Sequence, residues 1–116
     1  MSSALTEQIE TSFRDLEGDP VFGESCWLTC YIGGEPHALR KVAATLEKQG
    51  ACNLDGFDGG FIYAKVPIAT NAASAIECAE RVADLCAGFG VILTAIDADT
   101  SPEVATSVFK SLYIAP

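Results

Sequence analysis

Ser25-Cys26-Trp27-Leu28-Thr29-Cys30-Tyr31-Ile32-Gly33-Gly34-Glu35-Pro36 is the stretch on which the reading of the fold turns. Its first eight residues alternate. Cys26, Leu28, Cys30 and Ile32 form one face, and Trp27, Thr29 and Tyr31 the other, which is the period of a strand. Gly33-Gly34 turns the chain. Pro36 opens a new element, since a proline at the first helical position loses no hydrogen bond. Beyond it Ala38, Leu39, Val42, Ala43 and Leu46 recur every three or four residues, which predicts a helix over 36–49 stopped by Gly50.

Working outward, residues 51–54 read as a short strand and 55–60 (Asp-Gly-Phe-Asp-Gly-Gly) as a hairpin loop, because Asp-Gly pairs tolerate positive φ angles. Residues 61–66 alternate as a third strand that Pro67 is expected to end. Ala72, Ala75, Ile76, Ala79, Val82, Ala83 and Cys86 predict a helix over 71–87. Residues 91–96 are nearly all apolar, as in a strand covered on both faces. The order β-α-β-β-α-β is the split βαβ arrangement of ferredoxin-like domains. The expected fold is therefore α+β: a four-stranded antiparallel sheet with the strands at 25–32 and 61–66 in its centre and 91–96 at an edge. One domain spans 1–116, with its core at 25–97. Two further helices are expected. Leu5, Ile9, Phe13 and Leu16 give an N-terminal one within 1–20, and Ser101-Pro102-Glu103 starts a C-terminal one over 101–113.

The chain has 116 residues, 49% of them apolar, which suffices for one well-formed core. Sixteen acidic residues against seven basic leave a net charge of −9. A cationic surface is what neutralises phosphates, so direct nucleic-acid binding is not expected. An acidic surface suits a basic protein partner. The first 18 residues are polar and no run approaches the ~20 apolar residues of a membrane span, so the expectation is a cytoplasmic protein without membrane contact. The five cysteines, an odd number with no Cys-x-x-Cys, read as reduced, buried thiols.

Chemical motifs are sparse. His37 is the single histidine, and no nucleophile motif, phosphate-binding loop or dinucleotide fingerprint occurs. Asp55 and Asp58 fall short of the roughly six oxygen ligands of a Ca²⁺ loop, and Asp97-x-Asp99 reads as a loop that caps the last helix. Neither metal nor cofactor is expected, and catalysis is not the first reading. The feature that stands out is a sheet face. If the helices cover Cys26, Leu28, Cys30, Ile32, Ile62, Ala64 and Val66, then Trp27, Tyr31, Phe61 and Tyr63 share the opposite face. An open aromatic platform of that size marks an interaction site. It serves either to bind a protein partner or a second copy, or to floor a small-molecule pocket with His37 and Lys65 as polar participants. The competing expectation is that a terminal helix buries it. An apolar strand at 91–96 on an exposed edge also needs protection, which favours a homodimer.

Trp27-Leu28-Thr29-Cys30-Tyr31-Ile32 followed by the helix Ala38 to Gln49 and Gly50, and then Ile76 to Cys86 leading through Phe89-Gly90 into Val91-Ile92, resembles the ribonuclease E inhibitor superfamily known as regulator of ribonuclease activity B. The resemblance covers residues 26–99. It implies a small acidic α/β domain that binds and restrains a ribonuclease without catalysis of its own. Leu93-Thr94-Ala95-Ile96 stands where that family carries a Tyr-Asp-Gly-Trp-like segment, so no partner-binding residue is carried over.

Overall fold

A computed structural model describes residues 3–52, 59–101 and 109–115. The element order is α1 (Ser3–Phe13), β1 (Ser25–Gly33), α2 (Pro36–Glu47), β2 (Phe61–Ala69), α3 (Ala72–Phe89), β3 (Ile92–Asp99) and β4 (Phe109–Ile114). The four strands form one open antiparallel sheet in the order β2-β1-β3-β4. The three helices form a single layer on one face. α2 packs on β2, α3 lies over the middle, and α1 packs against α3 and β4.

The alternation of β1 assigns the faces as expected. Cys26, Leu28, Cys30 and Ile32, with Ile62, Ala64 and Val66 from β2, are buried beneath the helices. Ala75, Cys78, Ala79, Val82 and Cys86 are the buried stripe of α3, and their small size lets that helix approach the sheet. Burial raises the thiols, Cys30 well above its ordinary value and Cys78 and Cys86 to about 11, so these cysteines act as protonated apolar groups. The helix ends follow local chemistry. Glu35 caps α2 by accepting from the His37 and Ala38 N–H groups, and Asn71 caps α3 by accepting from Ser74 N–H. Gly90 closes α3 at φ 71°, where a side chain is strained. At Gly34 the constraint is space: an added Cβ would lie 2.6 Å from Val91 Cγ1.

Four expectations are corrected. The C-terminal segment expected as a helix over 101–113 ends in strand β4; Val108 and Leu112 have helical spacing and 109–114 carry no regular strand alternation, so it is pairing with β3 that makes them a strand. Residues 102–108 lie outside the described set, as do 53–58, which hold the second half of the expected strand at 51–54 and the first four residues of the expected hairpin loop at 55–60. Pairing with β4 also moves 92–99 from the expected edge into the interior of the sheet and places 61–69 outside β1. Pro67 does not end its strand, which runs on to Ala69. Lys65 exchanges both backbone hydrogen bonds with Cys52, so the N–H of 65, and with it the ring nitrogen of 67, faces away from β1. A proline is harmless there. Lastly, Asp97 and Asp99 lie within β3 and are buried, rather than capping a helix.

The N-terminal helix is shorter than expected and is part of the core. Leu5, Ile9, Phe13 and Leu16 are each at most 2% exposed. α1 joins the same layer as α2 and α3, so it does not cover the aromatic face.

Candidate functional site: the open face of the sheet

Residues directly opposite one another in an antiparallel ladder point to the same face. The register therefore lays out the uncovered face as rows across the strands. Phe61, Gly33 and Ile92 form the first row, and Tyr63, Tyr31, Ala95 and Ile114 the second. Lys65, Thr29, Asp97 and Ser111 form the third, and Pro67, Trp27, Asp99 and Phe109 the fourth. Two irregularities make this possible. Between Tyr31 and Ile32 the ladder skips Thr94, whose hydroxyl donates to the Tyr31 carbonyl at 2.9 Å. A second skip passes over Leu112. Such bulges re-aim side chains: without them Ile92 and Ala95, or Ser111 and Ile114, could not share a face.

The first two rows are apolar and open. Phe61 is 45% exposed, Tyr63 48%, Ile92 63% and Ile114 66%. Tyr31 and Tyr63 have ring centroids 5.1 Å apart and tilted by 59°, and Phe61 stands 6.4 Å from Tyr63. The tilt is the arrangement that aromatic quadrupoles favour.

Lys65, Thr29 and Asp97 of the third row form a buried polar network with Asp99, while Ser111 is exposed. Lys65, Thr29, Asp97 and Asp99 are each at most 9% exposed. Lys65 Nζ sits 3.2 Å from Asp99 Oδ2 and donates to the Ser101 carbonyl at 3.2 Å. Thr29 Oγ1 also donates to Asp99 Oδ2. Tyr31 Oη donates to Asp97 Oδ2 at 2.6 Å. Burial raises the Asp97 carboxyl above its ordinary value; the Tyr31 bond and Lys65 oppose this and the Asp99 charge adds to it. Tyr31 is raised as well, first by burial and then by its bond to Asp97. Its phenol therefore remains a proton donor at neutral pH and is a poor base.

Of the six residues singled out from sequence, the structure brings Tyr31, Phe61 and Tyr63 together. Trp27 shares their face, half-buried, but the row of Thr29 separates it from Tyr31. The four aromatics are therefore two sites rather than one platform. Lys65 lies on the face as expected, yet it is buried and ion-paired rather than presented to solvent. His37 is exposed at the start of α2 in the helical layer, away from this face. Sequence reasoning missed Ile92 and Ile114, which become surface residues only through the two bulges. It also missed Thr29, Asp97 and Asp99. Their signal was present in the alternation of Asp97-Ala98-Asp99, which continues the strand period. Among the described residues no group of three or more His, Cys, Asp or Glu side chains is placed to hold a metal ion, and no helix is long and apolar enough to cross a membrane. A cleft between the end of β2 and α3, lined by Pro67, Ala69, Ser74, Glu77 and Arg81 among others, wraps the sheet edge and does not include Tyr31, Phe61 or Tyr63. Comparison with family models, curated proteins and solved structures finds no match for this chain.

Proposed function

We propose that this chain is a non-catalytic regulatory module that binds a protein partner through rows one and two of its open sheet face. The observation that carries the reading is the contiguous exposed set Phe61, Tyr63, Ile92 and Ile114 around Tyr31, on a face that no described helix covers. Exposed apolar surface of that kind, bounded by polar groups, is characteristic of interaction sites. The net charge of −9 supports a basic partner over a second copy, because self-association would bring like charges together. One reason for expecting a homodimer also falls away, since β3 is paired on both sides. The resemblance to ribonuclease regulators supports the same reading, with a ribonuclease as the partner. We read the core as ferredoxin-like with β4 added outside β3. The support is the bridge from Cys52 to Lys65, which sets the segment before the hairpin outside β2, as the split βαβ order requires.

Capture from cell lysate with the intact chain, with Phe61→Ser and with Tyr63→Ser tests the reading, at low and at high salt. The expected result is a discrete partner kept by the parent at low salt, released by salt and lost with both variants. A partner retained equally by all three proteins overturns it. A second reading, a small-ligand site, is favoured by the buried Lys65–Asp99–Asp97 network beneath the rows. Saturable quenching of Trp27, beside Asp99 in row four, during a metabolite titration would select it.

A further inference from the structure

Asp97 is the one member of the buried network whose charge is poorly matched. Tyr31 occupies its Oδ2 with a neutral donor. Oδ1 accepts no hydrogen bond among the described residues, where the one fully buried side-chain oxygen without a partner is Thr70 Oγ1; Oδ1 therefore keeps contact with solvent and can be approached, although the side chain as a whole is nine-tenths buried. Lys65, the nearest cation on the face, sits on Asp99 instead. Directly across the row boundary lie the tilted rings of Tyr31 and Tyr63, the first held in place by its bond to Asp97 and the second half exposed. A largely buried carboxylate with one approachable oxygen, beside two tyrosine rings, is a site for an organic cation. The carboxylate supplies the charge and the rings supply the quadrupole.

We propose that the open face anchors an arginine side chain of its protein partner against Tyr31 and Tyr63, with the guanidinium directed at Asp97. The inference rests on the docking role of this face and names the chemistry of the group that docks. Arginine fits better than lysine: its planar guanidinium stacks on aromatic rings, forks to carboxylates and is more weakly hydrated, so less is lost when it leaves water. A metal ion fits less well, because one carboxylate oxygen and two phenol faces do not make a ligand set. Burial holds the Asp97 carboxyl above its ordinary value, and an arriving guanidinium supplies the countercharge that burial took away. A second copy of this chain is the poorer occupant. Of its own three arginines, Arg14 and Arg81 are already in i,i+4 pairs with Glu10 and Glu77, and the approach would set −9 against −9.

The test is a titration of the full ¹⁵N-labelled chain, followed by amide chemical shifts, with N-acetyl-arginine amide and with tri-arginine. N-acetyl-citrulline amide, which has nearly the same shape without the charge, is the control. Saturable shifts confined to Tyr31, Tyr63, Ala95 and Asp97 are expected with arginine and not with citrulline. Tyr63→Leu should weaken binding roughly three- to tenfold. Asp97→Asn, which keeps an acceptor for Tyr31, should weaken it about tenfold or more. Equal responses to citrulline, shifts spread over the whole acidic surface, or variants that bind like the parent overturn the inference. Those outcomes leave the docking reading standing if Phe61→Ser and Tyr63→Ser still lose the captured partner; if the captured partner is indifferent to both, the docking reading itself fails.

Discussion

Lys65 and Asp99 face each other with side chains at most 6% exposed. Taking both charges out of water offsets much of their attraction, so such a pair adds little net stability, whereas removing one partner strands the other. Lys65→Met should therefore destabilise the protein by about 3–5 kcal/mol. The double variant Lys65→Met/Asp99→Leu should recover most of that loss, and urea unfolding of the four proteins of the cycle measures it. A double variant as weak as the single one would mean that the bonds to the Ser101 carbonyl and from Thr29, not a stranded charge, carry the loss. Asp97 behaves differently because its carboxyl is raised in the folded state. Between the ordinary carboxylate value of 3.8 and the raised one, the folded state binds more protons than the unfolded chain. Stability from this group is therefore present at acid pH and lost as pH rises through the folded value. Asp97→Asn should be more stable than the parent at pH 7, and the advantage should vanish below the ordinary carboxylate range. Unfolding curves across that interval show whether it does.

At the scale of elements, α1 and β4 depend on each other. β4 is an edge strand, and an edge exposes backbone groups to pairing by other chains. Here α1 covers it with side chains. Gln8 behaves like a peptide group of a missing strand: its Oε1 accepts from Ile114 N–H at 3.2 Å and its Nε2 donates to the Ile114 carbonyl at 3.4 Å. Ser12 Oγ donates to the Leu112 carbonyl at 3.4 Å, and Lys110 pairs with Asp15 at 2.8 Å. The apolar stripe of α1 explains why it stays in place, since Ile9 and Phe13 are fully buried. Gln8→Ala should cost about 1 kcal/mol and speed amide exchange at Ile114, with little change at the centre of β1. Exchange that stays slow at Ile114 would show that packing alone protects the edge. At the far side of the sheet Pro67 has the opposite relation to its strand: its nitrogen lies on the outward side, where it blocks further pairing at that position without harming the ladder.

At the scale of the molecule, one side of the sheet is sealed by three helices and the other presents the exposed side chains of Phe61, Tyr63, Ile92 and Ile114. The −9 net charge is spread over a small domain with a Cα radius of gyration of 13.1 Å. Like charges at such spacing repel within a Debye length of about 10 Å at 0.1 M salt. The midpoint of thermal unfolding should therefore rise between low and physiological ionic strength. The buried Lys65–Asp99 pair is shielded from salt and does not oppose the trend. A midpoint that falls with added salt would mean that ion pairs, not repulsion, dominate the surface.

The sequence by itself determined the local elements and their faces. The alternation of 25–32, the helical stripes of 36–49 and 71–87 and the helix start at Pro36 are properties of neighbours in the chain, and they assigned the covered face of the sheet correctly. It also brought Tyr31, Phe61 and Tyr63 to one surface, because a period of two cannot place them elsewhere. Tertiary structure alone decided the fate of residues 109–114, which show no regular strand alternation and become a strand because β3 offers a partner. It alone moved 92–99 from the edge to the interior and, through skipped residues at Thr94 and Leu112, turned Ile92 and Ile114 outward. The Lys65–Asp99–Thr29 and Tyr31–Asp97 contacts join residues 34 to 70 positions apart in sequence. No local pattern encodes such a meeting, since cross-strand register arises only when whole strands pair.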